Sequence, residues 1–251
     1  WTDRLRKVKG AGYNTIDVYV PWNYHETLEG KFDFQGEKDI DLFLSLVREV
    51  GLYVVIRPGP YICSEWDGGG LPAWLFIKEG IKIRQNDPLY LSYVRKWYEE
   101  VIRILKPHQI TEGGSIILFQ LENELGFFLC GDPKGYISTL KDIARDNGVT
   151  VPLIVCAGQG DYEKAGSEAE EVLTSANLYF AGDNPKVEEV ATSYLNFAHK
   201  RKSVGMVMET EREPILVKRL LSAGLKMVSP YLQTSGTNLG YWHGQNNWSE
   251  P

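Results

Sequence analysis

Ser115-Ile116-Ile117-Leu118-Phe119-Gln120-Leu121 runs from the turn residues Gly113-Gly114 straight into Glu122-Asn123-Glu124. The run is too short for an ordinary helix and shows no alternation of polar and apolar residues, so it reads as a strand covered on both faces. Strands of that kind belong to parallel sheets with helices outside. The flanking sequence repeats the same unit. Upstream, residues 14–20 are β-branched and aromatic and stop at Pro21, and residues 52–57 are apolar and stop at Pro58-Gly59-Pro60. Downstream, strand-like runs cover residues 151–156, 177–180, 205–208 and 225–232. Helical periodicity fills the intervals at 38–50, 88–105, 136–146, 187–200 and, for a short helix, 213–224, with a weaker helix before 177. Asp87-Pro88 is a cap followed by a first-turn proline, and Gly51 is a helix stop. Residues 61–87 form an enlarged loop.

Alternation of this kind over 251 residues predicts an α/β fold, a (β/α)8 TIM barrel in one domain. Seven strands are visible where a closed barrel has eight, and the chain opens on an amphipathic segment, 1–9, with no strand before it. The expectation is that the first barrel strand lies upstream of Trp1. Ser115–Leu121 is then the fourth strand and residues 205–208 the seventh.

Composition narrows the function. Lys and Arg total 27 against 33 Asp and Glu, for a net charge of −6. An acidic surface repels phosphates, which argues against nucleic acid and anionic membranes as partners. Three cysteines, Cys63, Cys130 and Cys156, lack zinc-ligand spacing, and His25-Glu26 lacks the second histidine of a zinc-protease helix, so no metal is expected. No Gly-x-Gly-x-x-Gly or P-loop is present, which sets aside a nucleotide-binding sheet. Aromatic residues make up 12% of the chain. Most are core, but such rings also suit the apolar C–H faces of sugars.

In a barrel, chemistry sits where strands end. That rule selects Glu122-Asn123-Glu124, Met208-Glu209-Thr210-Glu211, Tyr19 to Asn23, and Cys63-Ser64-Glu65-Trp66-Asp67. Two carboxylates on one rim meet the needs of glycoside hydrolysis, where one protonates the leaving oxygen and the other attacks the anomeric carbon. Asn123, directly before Glu124, suits a bond to the neighbouring sugar hydroxyl. A lone Glu at a strand end is more often a solvated rim residue or a partner for Arg; only the pairing of two raises the catalytic reading.

Long ordered motifs sharpen this. Gly12-Tyr13-Asn14-Thr15, Tyr19-Val20-Pro21-Trp22-Asn23-Tyr24-His25-Glu26, residues 57–72 (Arg-Pro-Gly-Pro-Tyr-Ile-Cys-Ser-Glu-Trp-Asp-Gly-Gly-Gly-Leu-Pro) and Gln120-Leu121-Glu122-Asn123-Glu124-Leu125-Gly126 closely resemble glycoside hydrolase family 35. The resemblance is strong over 1–160 and returns at Ser235-Gly236-Thr237-Asn238-Leu239-Gly240. It implies a β-galactosidase-type retaining exo-glycosidase that needs no cofactor and acts on an oligosaccharide or glycoconjugate. It also implies a first barrel strand before the segment matching 1–12, and β-sandwich domains after the barrel that this sequence lacks. Glu124 matches the acid/base and Asn123 the sugar-holding residue beside it. Tyr19, Cys63, Ser64 and Glu65 match residues of the terminal sugar pocket. Tyr231 matches a tyrosine whose hydroxyl orients the nucleophile.

For the nucleophile, Glu209 is expected, with Glu211 as the alternate. The Gly-Trp pair that usually follows is missing, and the loop is short. Cys130 and Cys156 fall on adjacent rim positions, leaving a disulfide and two free thiols both open. Trp66, Trp74 and Trp242 are sugar platforms or structural rings. Ser64 in place of alanine, Gln233, and Glu65 or Glu211 near a 2-amino group keep an exo-β-glucosaminidase in play. A non-catalytic sugar-binding barrel and a transglycosylase are the remaining alternatives.

Overall fold

Local signals set the elements. Asp39 accepts from the backbone N–H of Leu42 and starts α3 (Ile40–Val50), which Gly51 ends with a left-handed φ of 78°. Asp87 accepts from Tyr90 N–H and, with Pro88 behind it, launches α4 (Pro88–Leu105). Asp132 accepts from Gly135 N–H at the head of α5 (Pro133–Asp146). Each such side chain satisfies a donor that the first helical turn leaves open. In this computed structural model, residues 1–158 and 161–231 are described.

Among the described residues seven strands result: β1 (Thr15–Tyr19), β2 (Tyr53–Arg57), β3 (Ile116–Leu121), β4 (Leu153–Ala157), β5 (Val172–Asn177), β6 (Met206–Thr210) and β7 (Met227–Pro230). All neighbours pair in parallel, in the order β1-β2-β3-β4-β5-β6-β7. Helix α1 (Thr2–Gly10) precedes β1, helices α3, α4, α5, α6 (Val187–Lys200) and α7 (Pro214–Ser222) lie between strands, and a one-turn α2 (Trp22–His25) follows β1. This is the expected TIM-barrel layout, nearly closed. Among the described residues β1 and β7 each have one partner, so a seam runs between them.

Side-chain layers follow from strand alternation. Val54 and Ile56 pack outward with Leu44, Trp97 and Val101 of the helices, while Ala176, Val207, Tyr194 and Leu216 form a second outward cluster. Val55, Ile154, Cys156, Met206 and Met208 form a separate cluster from alternate strands, the filling of the barrel interior.

One expectation is corrected. The fifth of the visible strands was expected at 177–180 after a weak helix; it is β5, starting five residues earlier, and the described residues between β4 and β5 make turns, not a helix. The cause is the polarity of Thr174-Ser175, unusual in a buried strand. Ser175 Oγ donates to Val155 O at 2.9 Å, and Thr174 shares a 3.0 Å hydroxyl bond with Ser167. Hydroxyls satisfied internally are compatible with full burial. The expected tail of the last strand at Leu232, together with Gln233, Ser235–Gly240 and Trp242, lies outside the described residues.

Candidate active site

The strand ends converge as the rim rule requires, and Arg57 is their hub. It closes the apolar strand β2 and is 1% exposed. Its Nη1 donates to Tyr19 Oη at 2.5 Å and to Asp17 Oδ2 at 3.3 Å. Its Nη2 donates to Asn123 Oδ1 at 2.5 Å and Glu209 Oε1 at 2.8 Å. A guanidinium buried among apolar strands requires such partners.

Glu209 receives two further donors: Tyr19 Oη reaches Oε1 at 2.6 Å and Tyr179 Oη reaches Oε2 at 2.8 Å. Its place at the site depends on an irregular strand. Met206 and Met208 fill the interior, so strict alternation would turn Glu209 outward with Val207. The register of β6 shifts against both neighbours, between Ala176 and Asn177 and between Val207 and Thr210. Such irregularities re-aim a side chain. Glu211 falls beyond the strand, half exposed, and makes none of the hydrogen bonds described for Glu209.

Glu124 sits on a tight turn. Glu122 and Glu124 both have left-handed φ values, 58° and 47°, a conformation costing a non-glycine residue about 1–2 kcal/mol. Glu124 N–H donates to Cys156 O at 3.0 Å, and its Oε1 accepts from Asn177 Nδ2 at 2.8 Å. Burial first, and the charge of Glu209 second, push the Glu124 carboxyl above the usual carboxylate range. The two acids therefore stand in unlike surroundings: Glu209 takes three donors, one cationic, and Glu124 takes one neutral amide.

Asn123 directly precedes Glu124 and shares Arg57 Nη2 with Glu209. Its Oδ1 accepts from Arg57 and from Gln120 Nε2 at 3.0 Å, which leaves Nδ2 as the side to donate. The far wall is the turn Cys63-Ser64-Glu65, with φ of 56°, 58° and 46°, closed by Trp66 N–H to Cys63 O at 3.0 Å. Burial raises the Cys63 thiol and the Glu65 carboxyl. Tyr231 donates to Glu65 Oε2 at 2.5 Å and lies 3.5 Å from Ser64 Oγ. It was expected to orient Glu209; the tyrosines that do so are Tyr19 and Tyr179. Tyr231 instead meets the Tyr179 ring edge-on, with centroids 6.4 Å apart.

Other expectations resolve structurally. Cys130 and Cys156 are free thiols, so there is no disulfide; Cys156 is buried on β4 and donates to Asn177 Oδ1 at 2.8 Å. Trp74 is a structural ring, bonded to Glu26 O and packed edge-on against Trp22. Trp66 is half buried, donates to Asn23 Oδ1, and lines a groove of about 1010 Å³ with Tyr19, Arg57, Ser64 and Tyr231. Among the described residues no acidic, histidine or cysteine cluster is arranged to hold a metal, and no helix is long and apolar enough to cross a membrane.

Arg57, Asn177 and Tyr179 were not singled out from the sequence. Arg57 had a signal, a charge ending a buried strand before proline. Asn177 and Tyr179 follow from the rim rule once β5 is placed at Val172–Asn177.

The family model for glycosyl hydrolases family 35 matches residues 1–251. The chain is 37% identical to a beta-galactosidase of Felis catus over 98% of its own length and 38% of that protein, and 37% identical to a beta-galactosidase of Mus musculus over 100% and 40%. It thus spans about two fifths of the length of these relatives. Among solved structures, GH5_18 from Streptomyces cattleya in complex with GlcNAc superposes with a TM-score of 0.73 at 12% identity, over 92% of this chain and 65% of that one. At that identity the likeness concerns the barrel alone.

Proposed function

Because the chain belongs to glycosyl hydrolase family 35, we propose that it carries the catalytic barrel of a retaining β-galactosidase, with Glu209 as nucleophile and Glu124 as acid/base. The observation that carries the assignment is the unlike setting of the two acids. The Glu209 carboxylate attacks the anomeric carbon as the Glu124 carboxylic acid gives its proton to the departing oxygen. This leaves a glycosyl ester on Glu209 and a carboxylate at Glu124. Glu124 then takes a proton from water, the hydroxide attacks the anomeric carbon, and the ester bond to Glu209 breaks. Asn123 Nδ2 donates to the 2-hydroxyl, a bond that strengthens in the transition state. Tyr19, Cys63, Ser64, Glu65 and Tyr231 form the wall facing the remaining hydroxyls, and no cofactor takes part.

An exo-β-glucosaminidase would need an ionised carboxylate beside the 2-amino group. Glu211 lies beyond β6 and makes none of the hydrogen bonds described for Glu209, and Glu65 is already engaged by Tyr231, so galactose is the better fit. A non-catalytic barrel has no use for two acids held so differently.

The test is release of aryl alcohol from β-galactoside, β-glucosaminide and β-glucoside substrates, compared with Glu124→Gln. The galactoside should be turned over fastest, and the variant should lose about 10²–10⁴-fold. A 2-deoxy-2-fluorogalactoside with a good leaving group should label Glu209, read by peptide mass. Label on Glu211, or a first product of inverted configuration, would replace the nucleophile or the mechanism.

A further inference from the structure

Glu122 and Glu124 both stand in the left-handed region and both are large acids, so the turn that carries Glu124 does not hold itself. What fixes it comes from elsewhere in the chain. Arg84, near the end of the long segment between β2 and α4, grips the Glu122 carboxylate at two points, Nε to Oε1 and Nη2 to Oε2, each 3.0 Å. The same Nη2 donates to Asn123 O at 2.7 Å. One guanidinium therefore ties down the side chain and the backbone on either side of the Glu122–Asn123 junction. Tyr136 Oη, from α5, adds a 3.2 Å bond to Glu122 Oε1, and Asn123 N–H donates to Glu122 Oε2 at 2.7 Å.

Arg84 is itself held. It is 5% exposed, has a left-handed φ of 53°, and packs on two rings, 3.6 Å from the centroid of Tyr61 and 4.8 Å from that of Phe128. Three residues further on, Asp87 caps α4, so its backbone is anchored to a rigid helix. A planar fork packed on aromatic rings makes bidentate contacts that a lysine cannot reproduce.

We infer that Arg84 is a positioning residue for proton donation: its clamp on Glu122 and on the Asn123 carbonyl aims the Glu124 carboxyl at the leaving-group oxygen. This rests on the reading of Glu124 as acid/base. It separates Arg84 from a buried ion pair that merely stabilises the fold, because a displaced acid harms only those substrates that need a proton. A 2,4-dinitrophenyl galactoside departs without one; an alkyl galactoside does not.

The experiment compares kcat/KM for both substrates in the wild type, Glu124→Gln, Arg84→Lys and Tyr136→Phe, with thermal melting of each. A misplaced donor should cost roughly 10²-fold on the alkyl substrate for Arg84→Lys, and about tenfold less on the dinitrophenyl substrate. Tyr136→Phe, which removes one bond and little volume, should show the same split on a smaller scale, and it decides the matter if Arg84→Lys does not fold. Equal losses on both substrates in folded variants would reduce Arg84 to a structural role. If Glu124→Gln splits the substrates and the clamp variants do not, the clamp proposal alone fails. If Glu124→Gln shows no split, or the wild type turns over neither, the acid/base reading falls and the clamp with it.

Discussion

The proposed acid role of Glu124 requires a carboxyl kept away from compensating donors, and Glu124 has few. Burial and the neighbouring Glu209 charge both favour its neutral form, and Asn177 offers a single amide in return. The same bias has a consequence for stability. A carboxyl whose folded pKa lies above its unfolded value, about 4.3 for glutamate, contributes its full stabilisation below that unfolded value. It loses the contribution as pH rises through the folded one. Glutamine has no proton to lose. Glu124→Gln should therefore melt at the wild-type temperature near pH 4 and above it at pH 7 to 8, while turning over little substrate. Thermal melts at the two pH values measure this directly, and an equal shift at both would mean the gain is packing and not ionisation. The tyrosines around Glu209 were only partly readable at this scale. Tyr19 stood at a strand end and does bond Glu209, whereas Tyr231, matched to a tyrosine near the proposed nucleophile, bonds Glu65 in place of Glu209. Which acceptor a hydroxyl chooses depends on distances across the rim that no spacing in the chain records.

Elements with local punctuation were legible in the chain: α3, α4 and β1 to β4 begin and end within a few residues of their caps, prolines and glycines. β5 was not, because Thr174 and Ser175 hide a buried strand behind polar chemistry, and that single misplacement concealed Asn177 and Tyr179. The Arg84 clamp was hidden for a different reason. It lies in a segment with little periodicity, and its partner is 38 residues away. That segment is shaped by its own packing, as Gly69 shows. At φ 61° a side chain is strained, and an added Cβ would lie 2.0 Å from Cε2 of Tyr61, the ring that stacks on Arg84. Gly30, at φ 72°, has no neighbour within 4 Å of the same position. Gly30→Ala should cost about 1 kcal/mol from backbone strain. Gly69→Ala should cost roughly 2–4 kcal/mol, because the ring must also move. Chemical denaturation of the two variants isolates that contact by difference; equal costs would show that Tyr61 yields freely.

At the scale of the molecule, the barrel is nearly closed, and its seam is where site and scaffold meet. The groove of about 1010 Å³ is lined by Trp1 and Phe43, by Asp17 on β1 and Val228 on β7, and by Tyr19, Arg57 and Tyr231. Strands at the middle of a parallel sheet share their backbone groups with two neighbours; those at an edge leave half of them without a strand partner. Burial follows the same gradient. Every residue of β4 is buried, every residue of β1 is half buried, and β7 buries only Pro230. Counting seven strands in the sequence anticipated the order and the gap together, since a closed barrel uses eight. Two site residues, Tyr19 and Tyr231, therefore stand at or just beyond the ends of the least supported strands, while Glu124 follows one of the best supported. In the 251-residue chain, amides of β1 and β7 should exchange with deuterium well before those of β3 and β4. If β1 and β7 are instead protected like the central strands, a segment beyond the described residues covers the seam. Tyr19 would then hold Glu209 from a closed barrel wall, with the rigidity that the proposed nucleophilic role of Glu209 requires.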